Sequence, residues 1–221
     1  MRLVYVSLVA DAERYASVAG AHIPEHATAV TVEGAASAAS GLNPVLERYA
    51  ADPSVDGLVV LHEDVIIRDP EFEPMIGAHL REQRVGLIGV IGAVRPPGLN
   101  WWDAAVKRGA VDETRGRIDF GWGDADVDVC DGLLHVIGRR ALDAGIRYDE
   151  CYDAFHGYDL DLCLQVRAAG LRVVVAPVWV DHRTRGGYGD VDAYLRADAR
   201  FRAKWSGTVR GDADVGEQVR R

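Results

Sequence analysis

Val59-Val60-Leu61-His62-Glu63-Asp64-Val65 is an apolar strand that runs straight into three polar groups. With Gly57 and Leu58 ahead of it, the run is apolar throughout, as a strand buried on both faces of a sheet must be. Open α/β sheets place their ligand sites at strand carboxyl ends. Three adjacent polar side chains there are costly unless solvated or bound to something. An Asp oxygen is a hard ligand suited to magnesium or manganese, and a metal held by Asp64 would bridge two phosphates. The competing reading is an ordinary turn that caps the strand.

Working outward, Leu3 to Val9 and Ala29 to Val32 read as further strands, with Asp11 capping a helix that ends near Gly20. Asn43-Pro44 predicts a helix start, Asn as N-cap and Pro as first helical residue, with the helix over Val45 to Ala51. Pro70 and Pro74 bracket the start of a helix through about Arg84, and Val85 to Val94 reads as one buried run. From Arg95 to Asp126 the pattern dissolves into Gly, Pro, Trp and charge, a long loop of the functional kind. Val127 to Gly138 returns to strand character and Arg139 to Ala144 suggests a short helix. Asp159 to Gly170 is the best helix signal in the chain. Leu171 to Val180 is β-rich and ends at Asp181-His182, followed by a Gly-rich loop and a polar helix to about Trp205. Alternating strands and helices argue for a mostly parallel sheet covered on both faces. The expected organisation is one domain over residues 1–205 with a C-terminal tail over 206–221.

The 221 residues suffice to bury a core without covalent staples. Nothing at the start resembles a signal peptide, and no segment approaches the roughly 18 apolar residues a membrane span requires. The expectation is a soluble, cytoplasmic protein without an integral membrane segment. Cys130, Cys151 and Cys163 are odd in number and widely spaced, so they are expected to be small buried hydrophobes rather than a zinc site or disulfides. The formal charge of −9 argues against nucleic acid as a partner. It leaves a phosphorylated small molecule open, because a bound divalent cation reverses the local field.

Asp159 and Asp161 open the strong helix but point roughly 200° apart, so they cannot serve one site. Asp159, in the cap position, is expected to face a cleft, and Asp161 to stabilise the helix terminus. His182 stands where a β-rich run meets a loop carrying Arg183 and Arg185, whose guanidinium forks suit diphosphate oxygens. Trp101, Trp102 and Trp122 lie in loop-like sequence and could form a platform for a sugar ring.

Together these segments resemble the family-2-type glycosyltransferases of the GT-A fold, nearest to a small "glycosyltransferase-like" group with a His-x-Asp-Val strand end. Three blocks carry the likeness: the strand ending in His62-Glu63-Asp64-Val65, His156-Gly157-Tyr158-Asp159-Leu160-Asp161-Leu162 with Arg167 and Gly170, and Val178-Trp179-Val180-Asp181-His182. The resemblance implies an α/β GT-A fold (a nucleotide-diphospho-sugar transferase fold), with a mixed, mostly parallel central sheet flanked by helices. It puts the metal on Asp64 and His182, the metal being Mn2+ or Mg2+, and the catalytic base on Asp159. The donor side it implies comprises Glu63, Asn43, Ser7, Glu33, Arg183 and Arg185. The acceptor side comprises Asp131, Gly132, Trp122, His156 and Tyr158. Two departures stand out: Tyr158 replaces the usual Glu before the base, and Val32-Glu33-Gly34-Ala35 replaces the usual nucleotide-base loop.

The expected activity is metal-dependent transfer of a sugar from a nucleotide-diphosphate sugar to a hydroxyl acceptor, inverting by single displacement. Two alternatives belong to other classes. One is a non-catalytic nucleotide-sugar-binding or scaffolding protein. The other is a metal-dependent hydrolase built on His62, Asp64, His156 and His182.

Overall fold

The structure is a computed structural model, and it describes residues 1–184, 186 and 189–208. The strands are β1 (Leu3–Val9), β2 (Thr28–Glu33), β3 (Gly57–Leu61), β4 (Val65–Ile67), β5 (Val85–Gly89), β6 (Ile91–Val94) and β7 (Val106–Glu113). They continue with β8 (Gly116–Asp119), β9 (Ala125–Val127), β10 (Val129–Cys130), β11 (Leu134–Gly138), β12 (Arg172–Val175) and β13 (Val180–His182). The helices are α1 (Ala12–Ser17), α2 (Ala38–Ala50), α3 (Phe72–Arg81), α4 (Arg139–Asp143), α5 (Tyr158–Ala168) and α6 (Val191–Lys204).

The large sheet has the order β2-β1-β3-β11-β5-β12-β9. In it β2, β1, β3, β5 and β12 run one way and β11 and β9 the other, a mixed but mostly parallel sheet. Tyr5 and Leu8 are an odd number of residues apart on β1 and so point to opposite faces. Tyr5 meets the ring of Phe72 in α3, and Leu8 presses on Gly41 of α2, so helices cover both faces. The second sheet, β10-β6-β7-β13-β4 with β8 paired to β7, stands over the carboxyl end of β3.

Several local expectations are corrected. α2 begins at Ala38, six residues before Pro44, because Ser37 and Ser40 form a reciprocal capping box. Pro44 is accommodated inside the helix, at the loss of the one N–H that would bond the Ser40 carbonyl. The apolar run Val85 to Val94 is two strands in two sheets, with Val90 alone between them. Arg95 to Asp126 is not a loop, since it holds a 3-10 turn at Trp101–Asp103 and the β7–β8 hairpin. Gly109, at φ +90°, breaks the alternation of β7, and a Cβ there would lie 2.0 Å from the Val90 carbonyl oxygen. Gly157, at φ +74°, caps α5, so Asp159 is the second helical residue rather than the cap. Cys130 and Cys163 are buried as expected, whereas Cys151 is exposed.

Asp161 lies in the first turn of α5, and it does more than face the helix terminus. It is fully buried and accepts hydrogen bonds from the Tyr152 hydroxyl (3.2 Å), Gln165 (2.8 Å) and the Trp205 indole (2.7 Å). It also pairs with Lys204 at 2.8 Å, which pins the end of α6 to the first turn of α5. No helix among the described residues is long and apolar enough to cross a membrane.

Candidate active site

β3 delivers His62, Glu63 and Asp64 to the edge of a cleft of about 660 Å3. Strand register does the rest. β4 pairs antiparallel with β13 so that Val65 faces His182, which brings His182 beside Asp64. The Arg183 amide donates to the Asp64 carbonyl at 2.8 Å and locks that register. β13 also runs parallel to β7, setting His182 opposite Glu113.

His62, Asp64 and His182 each offer one ligand atom, all within 4.8 Å of one another. The His182 Nε2 is 3.4 Å from Asp64 Oδ1, and the two imidazole rings are 5.6 Å apart. The other Asp64 oxygen, Oδ2, accepts from the Arg14 guanidinium at 2.7 Å. Burial works against the Asp64 charge, but the His182 hydrogen bond and the charges of His182, His62 and Arg14 outweigh it and hold the carboxyl below its usual range. Burial likewise opposes the charged form of His182, and the bond and charge of Asp64, helped by Asp131 and Glu113, raise it. His62 is pushed down, by burial first and then by His182. The His62 Nε2 lies 3.2 Å from the Tyr158 hydroxyl. An oxygen and two imidazole nitrogens at these separations form a set that a divalent transition metal accepts.

Asp159 lines the same cleft from the first turn of α5. One of its oxygens accepts the Gly132 N–H at 2.9 Å. Burial, reinforced by the negative charge of Asp131, raises its pKa to about 6, against the opposing pull of His135 and the amides of Leu160 and Gly132. Asp131 holds the Leu133 amide with one oxygen and the Trp101 indole N–H, at 3.1 Å, with the other. A second lobe of about 600 Å3, under the β7–β8 hairpin, shares His62, Asp64, Trp101, Trp102, Asp131, His156 and Tyr194 with the first. The cation-ligand set therefore stands between two chambers.

The remaining expected residues divide. His156 and Tyr158 line the cleft, His156 edge-on to Tyr194 at 5.4 Å. Gly132 packs on Asp159. Glu33 and Glu63 are on the cleft wall, but a Glu63 oxygen is committed to the amides of Ala10 and Asp11 at 2.7 and 3.0 Å. Asn43 lines neither lobe, and both its polar atoms bond the Tyr148 backbone. Ser7 is buried in β1 with its hydroxyl unpartnered, also away from the lining. Trp122 is half-exposed, with the Arg117 guanidinium 5.4 Å from its ring, and lines neither lobe. The Arg183 guanidinium turns to Asp181 at 3.3 Å, and Arg185 lies outside the described residues. Sequence reasoning missed Arg14, Glu113, Phe155 and Tyr194. Arg14, Glu113 and Tyr194 arrive from elements distant in sequence from the site residues they meet, Phe155 directly precedes His156, and none carries a motif that announces it.

Comparison with known proteins accords with this geometry. StrF, a streptomycin biosynthesis protein of Streptomyces griseus, is 31% identical over 147 residues, covering 66% of this chain and 52% of StrF. The chain thus spans about half the length of that curated relative. Among solved structures, GalNAc-T7 with UDP, GalNAc and Mn2+ superposes with a TM-score of 0.58 at 11% identity, over 93% of this chain and 48% of that one. The mannosyltransferase PcManGT from Pyrobaculum calidifontis, in complex with GDP-Man and Mn2+, gives 0.54 at 13% identity over 85% and 58%. These likenesses establish a shared GT-A fold. The glycosyltransferase-like family matches residues 22–205, most of the chain. The chain therefore belongs to the glycosyltransferase-like family.

Proposed function

We propose that the chain transfers a sugar from a nucleoside-diphosphate sugar to a hydroxyl acceptor in a single inverting displacement. One observation carries the reading: His62 and Asp64 of the cation-ligand triad line the same cleft as Asp159, a carboxylate of raised pKa. His62, Asp64 and His182 would hold the metal, and two imidazoles beside one carboxylate suit Mn2+ better than Mg2+. A divalent ion there supplies charge neutralisation of the diphosphate as it leaves.

The chain's own residues do the remainder. Glu33, Gly34 and Ala35, after β2, form the far wall of the cleft, where a nucleoside fits. Asp159, fixed by the Gly132 amide, takes the proton of the acceptor hydroxyl. Trp101, held by Asp131, and the half-exposed Trp102 offer flat faces to a sugar ring. Support for the metal comes from the Mn2+ complexes among the structural neighbours, and for the donor from their UDP and GDP-Man.

A thermal-shift panel of UDP and GDP, with and without Mn2+, tests the reading. Stabilisation by one nucleotide only when Mn2+ is present is the expected result. No shift under any combination overturns it.

A further inference from the structure

The one carboxylate of the cation-ligand set already has a cationic partner within the protein. That carboxylate is Asp64, and imidazoles, neutral when they ligate, supply the other two ligand atoms. The Arg14 guanidinium bonds Asp64 Oδ2 at 2.7 Å and the Arg183 carbonyl at 2.6 Å, so it is fixed in place rather than free to swing away. α1, which carries Arg14, is fastened to the same segment a second time, because Glu63 accepts the amides of Ala10 and Asp11. Arg14 leaves Asp64 Oδ1 clear, facing His182 Nε2. The nearest further carboxylate on the His182 side is Glu113, at 3.8 Å from Nδ1, and its other oxygen is taken by Arg115 at 3.0 Å. A bare divalent cation entering here meets a ligand set whose one negative charge is already matched by a fixed positive charge, so only Asp131 and Glu113, which act on His182 from outside the set, are left to attract it. A cation that arrives on a diphosphate brings its own compensating negative charge.

We infer that Arg14 makes this site take its divalent cation together with a nucleoside diphosphate rather than alone. This rests on the metal reading proposed above. Arg14 is then a positioning and charge-setting residue: it orients Asp64 for one-oxygen ligation and withholds the site from free metal. The diphosphate, not the cell's free metal concentration, decides when the site fills.

The test is Mn2+ binding followed by electron paramagnetic resonance, with no turnover involved, on the wild-type chain, Arg14→Gln and Arg14→Lys. α1 buries no residue, so neither substitution removes core packing. Wild type is expected to bind Mn2+ weakly alone and at least tenfold more tightly with UDP or GDP. Arg14→Gln should bind Mn2+ alone about tenfold more tightly than wild type, the scale of one unit charge acting on a divalent ion a few ångströms away through strong screening. Arg14→Lys, which keeps the charge, should stay near wild type. Equal Mn2+ binding with and without diphosphate in wild type, or no gain in Arg14→Gln, overturns the role of Arg14 while leaving the metal site standing. Absence of Mn2+ binding in every sample, diphosphate included, overturns the metal reading and this inference with it.

Discussion

Asp159 and Gly132 meet so closely that a Cβ on Gly132 would lie 2.7 Å from the Asp159 Cβ and 2.9 Å from its Oδ2. The absent side chain is what allows the 2.9 Å hydrogen bond from the Gly132 amide that aims the carboxylate. Gly132→Ala should therefore cut transfer by about 100-fold or more, the scale of a misplaced reacting group, while nucleotide binding persists. Steady-state rates beside nucleotide thermal shifts would show it. Undiminished turnover in Gly132→Ala would mean that Asp159 is not the base.

Asp159→Asn is expected to lower turnover by about 10²–10⁴-fold, the usual contribution of a general base, with Mn2+–nucleotide binding retained. The same change bears on stability. A carboxyl whose pKa rises on folding, here to about 6, holds its proton more tightly in the folded chain. The stability that this provides is lost as pH climbs from the unfolded value to about 6. Asp159→Asn should thus gain more in melting temperature, relative to wild type, at pH 7.5 than at pH 4. An equal difference at both would contradict the burial of the charge.

The rate profile should follow the same group. Below about pH 6 the Asp159 carboxyl is protonated and cannot accept a proton, so kcat/KM should rise through that value with unit slope. Removing the neighbouring negative charge with Asp131→Asn should move the limb to lower pH. A limb that stays fixed in Asp131→Asn would assign it to another group.

Asp64→Asn and His182→Ala should each abolish the Mn2+-dependent stabilisation by nucleotide. At 100 times the dissociation constant, ligand stabilises by about 2.7 kcal/mol, which for a chain of this length is about 5–10 °C in melting temperature. Loss of that shift, with the ligand-free melt little changed, is the expected signature.

Asp161→Ala should destabilise the fold by about 2–4 kcal/mol, because it strands the Tyr152 hydroxyl and the Trp205 indole and leaves Lys204 with Asp149 alone. Urea denaturation gives the number. A change below about 1 kcal/mol, the worth of an exposed pair, would show that α6 is held by its apolar face alone.

How much of this was legible in the sequence follows from what kind of signal each residue leaves. Asp64 and His182 end apolar strands, and Asp159 opens a helix, so position alone marks them. The hairpin β7–β8 left no such mark, since Gly109 interrupts the alternation of Val106 to Glu113 and hides its period of two. Asn43-Pro44 has the form of a helix start, but the Ser37–Ser40 box formed first along the chain and Asn43 was used to hold Tyr148. Arg14 and Glu113 are invisible to any local pattern. Their roles come from pairings 50 and 69 residues away, fixed only when the sheets assemble.

Val90, the single residue between β5 and β6, joins the two sheets. Hydrogen bonds close in on both sides of it, Ala176 N–H to Gly89 and Asp131 N–H to Ile91, each 3.0 Å. One residue offers two soft torsions, and the chain crosses between the same two sheets a second time at Asp128, alone between β9 and β10. A jaw-like hinge between the sheets would have to turn at both places together.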